Sequence, residues 1–318
     1  MKKQKIRFYA ALLCSSMVFS LVSTPVSAAE TGQLTNPPTS TEELSSPESI
    51  SGNEAASALN GLSVLAANGE AEVTTASELT GALADSSISR ITLKGDIDIG
   101  STLTVNRTVT LDLNGCVLKM TGSDSVIKVE ADGDLTIQDR NTTTQHKFNP
   151  HCKYLTWYID MWELDNGGSE IVSGGVITGG GGDQSNGGGV LVAGGTLVMA
   201  GGSIVGCSAM SRGGGVCNNG TFIMSDGMIK GCTSPDGQYA SGGGVRNSNQ
   251  FTMTGGMIGD PDNENDASHV YNTSSQETTL TISGNAKIYT DITNVGILNA
   301  DGGEIAGTMT NDTNRYGT

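Results

Sequence analysis

Asp260, Asp262, Glu264 and Asp266 put an acid at every second position of one short segment, Asp260-Pro-Asp262-Asn-Glu264-Asn-Asp266. Calcium loops space their ligands this way, because a hard cation gathers several oxygens from a tight turn. The sixth position lacks the glycine such loops use, and Glu264 is longer than the usual third ligand. A solvated acidic turn is therefore the competing expectation, and Ca²⁺ is the one cofactor the residues bring to mind.

A second cluster is aromatic. Residues 141–170 hold both tryptophans of the chain, Trp157 and Trp162, with Tyr154 and Tyr158 between or beside them. Flat rings with polar handles stack on sugars, so these four residues are the candidate ligand-binding set. The alternative is that the rings pack back as a small satellite core. His146, His151 and Cys152 share the segment, but their spacing matches no zinc motif.

Catalytic residues are harder to find. Cleavage of a polysaccharide needs paired carboxylates, or carboxylates holding a cation beside a base. Between residues 187 and 258 the acids are Asp226, at a turn glycine position, and Asp236, in the turn signal Ser-Pro-Asp-Gly. Arg212 and Arg246 flank glycine triplets without an evident carboxylate partner. No Ser-His-Asp or Cys-His arrangement, phosphate loop or basic patch stands out, so no catalytic residue is assigned.

These residues sit on a strongly repetitive scaffold. Gly-Gly-Gly-Val occurs at 187–190, 213–216 and 242–245, and Gly/Asp-Gly-x-Ile at 174–177, 201–204, 226–229 and 255–258. Aligned on the second phrase, Leu197, Phe222 and Phe251 form one column, Met199, Met224 and Met253 another, and Ile204, Ile229 and Ile258 a third. The offsets are 25 and then 29 residues in each column. Such columns arise when thin coils stack about 4.8 Å apart into parallel sheets and like side chains pile up inside. Cys207 and Cys232 fall at equivalent coil positions, within reach of a disulfide or packed as small apolar free thiols. Upstream, Ile91–Leu93, Ile97–Ile99, Leu103–Val105, Val109–Leu113, Val126–Val129 and Leu135–Ile137 alternate apolar and polar residues, the mark of strands with one buried face. Thr75 and Glu78 make a capping box before Leu79, Ala82 and Leu83, which predicts a short helix over roughly 75–84 closing the open apolar end of the first coil. Some eight or nine coils are expected. A β-sandwich would want short hairpin turns without long-range columns, and a β-propeller a longer repeat.

The ends and the composition set the context. Lys2, Lys3, Lys5 and Arg7, an apolar stretch over Tyr9–Val22 and Val26-Ser27-Ala28 read as a signal peptide, 1–28. Residues 29–73, rich in Ser, Thr, Glu and Pro and with neither Lys, Arg nor aromatics, read as a disordered linker. That leaves a β-helix domain over 74–318, interrupted at about 141–170. The 318-residue chain has 45 glycines, 4% aromatics and formal charge −16. Loss of a cationic leader makes it more acidic still, which argues against nucleic acid and anionic membranes as partners. The chain ends at Thr318 without a Leu-Pro-x-Thr-Gly signal or terminal apolar helix, so the expected product is secreted or at the cell surface with its attachment and oligomeric state open.

Val109-Thr-Leu-Asp-Leu-Asn-Gly115 with Leu118, followed by Leu135-Thr-Ile-Gln-Asp139, resembles the opening coils of pectin-lyase-like β-helix proteins. The Gly-Gly-Gly-Val … Phe-Thr-Met-Thr-Gly-Gly-Met-Ile phrase is similar to repeats of adhesin-like surface proteins of anaerobic Firmicutes. The resemblance spans about residues 73–310 and implies an all-β, right-handed parallel β-helix. Its motifs are turn and core residues, and the family holds polysaccharide lyases and hydrolases beside non-enzymatic surface proteins, so fold alone does not give activity. The expected function is non-enzymatic adhesion or ligand display, with a glycan or another cell surface as partner. A polysaccharide lyase or hydrolase and a structural spacer or adhesin fragment are the alternatives.

Overall fold

The structure, a computed structural model, describes residues 69–150, 162–181, 186–234, 242–263, 266–273 and 277–311. The expected leader and nearly all of the expected linker lie outside them. Folded structure starts earlier than residue 74, however. Glu70–Val73 is a strand paired in parallel with Arg90–Leu93, and its inward side chains are Ala71 and Val73. Two acids among four residues disguise its alternation as linker.

The described chain is all-β with one helix, in a 13-stranded sheet, an 8-stranded sheet and a small 3-stranded sheet. Every strand pair in the two large sheets is parallel, and the partner lies one repeat away. The 13-stranded sheet bends through long strands such as Thr196–Val205 and Thr221–Lys230. Their first halves continue one column of strands and their second halves another. With the 8-stranded sheet this makes three columns, visited in one fixed order: Thr196–Met199, Ser203–Val205, Val216–Asn218, then Thr221 back in the first. We call each circuit a rung.

The register reproduces the columns read from the sequence. Leu197 pairs with Phe222 and Phe222 with Phe251, Met199 with Met224 and Met224 with Met253, and Ile204 with Ile229 and Ile229 with Ile258. All are essentially inaccessible, and the Phe222 and Phe251 rings stack at 4.5 Å between centroids. Burying side chains of this size on the inside of each rung is the main stabilising term. Cys207 and Cys232 also point inward, beside the Ser208–Thr233 bridge, and are buried free thiols.

The glycine triplets serve two ends. Gly187, Gly213 and Gly242 have φ of 68°, 61° and 72°, where a β-carbon is strained. The glycine after each sits against the neighbouring rung: a β-carbon at Gly214 would lie 2.2 Å from the Thr233 carbonyl oxygen, and at Gly243 1.9 Å from that of Ala267. The turns can therefore stack on one another with backbone contacts such as Gly215 N–H to Gly243 O at 2.9 Å.

The third column carries a feature the apolar columns conceal. Asn218, Asn247, Asn272, Asn294 and Asn311 occupy successive equivalent positions. Each Nδ2 donates to the next Oδ1, at 2.7, 2.8, 2.7 and 3.0 Å. The spare amide hydrogens of Asn218, Asn247 and Asn272 go to the carbonyls of Gln250, Thr279 and Ile297. Polar groups this deep persist because they are hydrogen-bonded.

Helix Ala76–Ala84 forms as its capping box dictates: the Glu78 amide donates to Thr75 Oγ1, and the Thr75 amide to Glu78 Oε2, both at 3.2 Å. Its buried face is Leu79, Ala82 and Leu83, and it joins the same core as the first strands. Arg107 closes the other end, donating to the carbonyls of Ala82, Leu83 and Ile88 at 2.8, 3.0 and 2.6 Å. A cation at a helix C-terminus satisfies orphan carbonyls and the end of the macrodipole together.

Candidate functional site

Strand alternation forces Met199, Met224 and Met253 inward, so the residues that follow, Ala200, Ser225 and Thr254, face out, next to the glycines at which the long strands bend. Successive bends line up into a groove of about 640 Å³. Asp139, Thr142 and Ser173 close one end, and Asn285 and Lys287 the other. The groove thus crosses five rungs, about 19 Å at the usual strand spacing. Small side chains keep its floor low: Gly201, Gly202, Gly227, Gly255 and Gly256 line it beside Met228 and Met257.

Its chemistry is mostly neutral hydrogen bonding. Ser225 and Thr254 are exposed hydroxyls, and Asn285 adds an exposed amide. Of its two carboxylates, Asp139 has structural work: Oδ1 accepts from Gly115 N–H at 2.7 Å and Oδ2 from Gly175 N–H at 2.8 Å. Asp226 is exposed and accepts from the Gly227 amide at 2.8 Å. Such a lining can hold a polyhydroxylated chain along its length. Sequence reasoning passed over the groove because its residues are small turn formers; the signal was the outward column Ala200, Ser225, Thr254 beside the methionine column.

Among the four aromatic candidates, the structure describes Trp162; Tyr154, Trp157 and Tyr158 lie outside the described residues. Trp162 is 1% exposed and packs with Phe148, Val172, Val176 and Val205, its ring 6.4 Å from that of Phe148. Its ring is therefore part of a satellite core and presents no face to solvent. That core lies under an antiparallel sheet of Gln145–Asn149, Glu163–Leu164 and Glu170–Ser173. Because Thr142 and Ser173 both line the groove, the segment leaves and rejoins the rungs at the groove's end. His146 Nε2 is 3.0 Å from the Gly115 carbonyl oxygen; His151 and Cys152 lie outside the described residues.

Two of the four acids considered for calcium, Asp260 and Asp266, have protein partners. Asp260 Oδ2 lies 3.3 Å from Lys230 Nζ, with side chains 6% and 8% exposed. Asp266 Oδ1 accepts from Gly231 N–H at 3.1 Å and Ser268 N–H at 2.9 Å. Burial raises the Asp266 carboxyl above its ordinary value, against the hydrogen bonds that lower it. The Asp262 amide donates to Asp260 Oδ1, and Glu264 lies outside the described residues. Asp260 thus faces an ammonium and Asp266 backbone amides. Among the described residues no three His, Cys, Asp or Glu side chains group as metal ligands.

Compared with known proteins, residues 70–173 match the family model described as "Putative pectate lyase-like adhesive domain". The matched span runs from the first strand to the end of the antiparallel sheet. No curated protein and no solved structure matches the chain.

Proposed function

We propose that this chain is an exported, non-enzymatic adhesive protein built as a right-handed parallel β-helix, and that its groove binds an extended glycan. The β-helix reading is supported by three parallel columns visited in constant order; crossovers between parallel strands are nearly always right-handed. The adhesive description of the matching model and the acidic, basic-patch-free composition favour a role outside the cell, secreted or at its surface.

The observation that carries the binding reading is the groove itself. Hydroxyls and an amide repeat along a low glycine floor, while one carboxylate is tied to backbone amides and the other stands at a bend. That is a surface for holding sugar hydroxyls by many modest hydrogen bonds rather than for moving protons at one bond. Tyr154, Trp157 and Tyr158, outside the described residues, stay in the proposal as the aromatic set for stacking on a sugar.

Ser225→Leu with Thr254→Leu tests this. Both side chains are exposed, so melting should not move, while affinity for a glycan selected by array screening falls at least about tenfold, the worth of one or two hydrogen bonds. Unchanged affinity, or no glycan bound by the wild type, would refute the groove. Release of unsaturated or reducing ends from a uronate polymer would return the enzyme alternative.

A further inference from the structure

We propose that Lys230 and Asp260 condense inside the folded chain into an isopeptide bond, an amide between Lys230 Nζ and Asp260 Cγ, with release of one water.

The two groups belong to neighbouring rungs and meet at 3.3 Å in a site from which solvent is almost excluded. Trp162 covers the nitrogen: its ring centroid lies 4.3 Å from Nζ. Gly231 makes this cover possible, since a β-carbon there would lie 2.1 Å from the Trp162 ring carbon Cγ. The same glycine fixes the surroundings through both of its backbone polar groups. Its carbonyl accepts from the Trp162 amide at 3.2 Å, and its N–H donates to Asp266, at 3.1 and 3.2 Å. An amine, a carboxyl, an aromatic lid and a second acid are therefore pinned around one residue.

In so dry a site, two full charges lose hydration that their attraction only partly returns. Proton transfer from the ammonium to Asp260 yields a neutral amine and a carboxylic acid. The amine's electron pair then attacks Cγ. The carbon–nitrogen bond forms, the bond from Cγ to its hydroxyl breaks, and the hydroxyl leaves with a proton from nitrogen as water. One ammonium and one carboxylate become one amide and one water, so atoms and charge balance and no oxidant or cofactor is needed. Asp266 supplies the proton relay. The Gly231 and Ser268 amides hold its carboxylate at this site, at 3.1 and 2.9 Å, and burial pushes the carboxyl up, with the nearby Asp260 charge adding to that rise. Enclosure also favours the product, because the amide carries no full charge where the pair carried two, and the water departs.

Peptide mapping by mass spectrometry of the full chain, with native structure checked by circular dichroism, decides the matter. The expected result is a branched peptide joining the Lys230 and Asp260 segments, one water lighter than the sum of its parts. It should vanish in Lys230→Arg and in Asp260→Ala. In Asp266→Asn it should accumulate more slowly, by at least about tenfold. Folded wild-type protein that yields only linear peptides, with both side chains free, overturns the proposal whatever the variants do. Bond formation at the wild-type rate in Asp266→Asn overturns the part given to that acid.

Discussion

Asn247 donates to Asn272 and to the Thr279 carbonyl while its own oxygen accepts from Asn218. Asn247→Ala would leave the Asn218 donor and the Asn272 and Thr279 acceptors without their partner in a place water does not reach. Each buried group so orphaned costs about 1–3 kcal/mol, and some relaxation is expected, so a loss of about 3 kcal/mol in chemical denaturation is the expected outcome. A change below about 1 kcal/mol would mean the ladder is not a unit. The Asn column was open to sequence reading, since each member ends a Val-x-Asn or Ile-x-Asn phrase from residue 216 to 294. It was masked because attention to apolar repeats finds the columns that drive burial, and Asn passes for a turn former. The Lys230–Asp260 pair was less accessible. Asp260 looks like one of four evenly spaced acids, and only the stacked rungs bring it to a lysine 30 residues away.

Helix Ala76–Ala84 shows the same division between near and far. Its start was legible, because a capping box is a local device whose members lie three residues apart. Its closure was not, because Arg107 reaches the helix from a turn three strands further on. Thr75→Ala should cost about 1 kcal/mol. The carboxylate of Glu78 gives the helix a pH dependence. Its pKa is lowered, chiefly by the Thr74 amide that donates to it at 2.7 Å. The folded chain thus holds this proton less tightly than the unfolded one. The stabilisation is in place above the ordinary value of 4.5 and is lost as pH falls through the lowered one. Hydrogen exchange at Leu79–Leu83 should therefore accelerate on acidification, relative to the central rungs, in the wild type and not in Glu78→Gln. Equal acceleration in both proteins would remove Glu78 as the cause. The aromatic segment behaves differently from either end. Its composition was plain in the sequence, but composition alone does not tell inward from outward, and Phe148 with Val172 and Val205 draws Trp162 inside.

At the scale of the molecule, the β-helix we propose would be close to one-dimensional, each rung stabilised by the two beside it and a terminal rung by one. The first rungs and the last described rung differ in how fully they are covered. The first rungs lie under the helix, whose Leu79 and Ala82 are fully buried. In the last described rung, by contrast, Leu298 and Ile305 are only partly buried, Ala300 is exposed, and Ile297 and Met309 are 47% and 38% exposed. Equivalent positions four rungs earlier, Leu197 and Ile204, are inaccessible. Opening free energy follows buried contacts, so local opening should be easiest at Ile297–Ile305 and Met309–Asn311 and rarest around Thr196–Val205 and Val216–Asn218. Hydrogen exchange followed by mass spectrometry should show protection rising from residue 311 back towards 216 in steps of one rung. The helix-covered strands Arg90–Leu93 should be protected more like the middle than like that end. Uniform protection from end to end would mean that the stack opens as one cooperative block and that nearest-neighbour stacking is the wrong description of its stability.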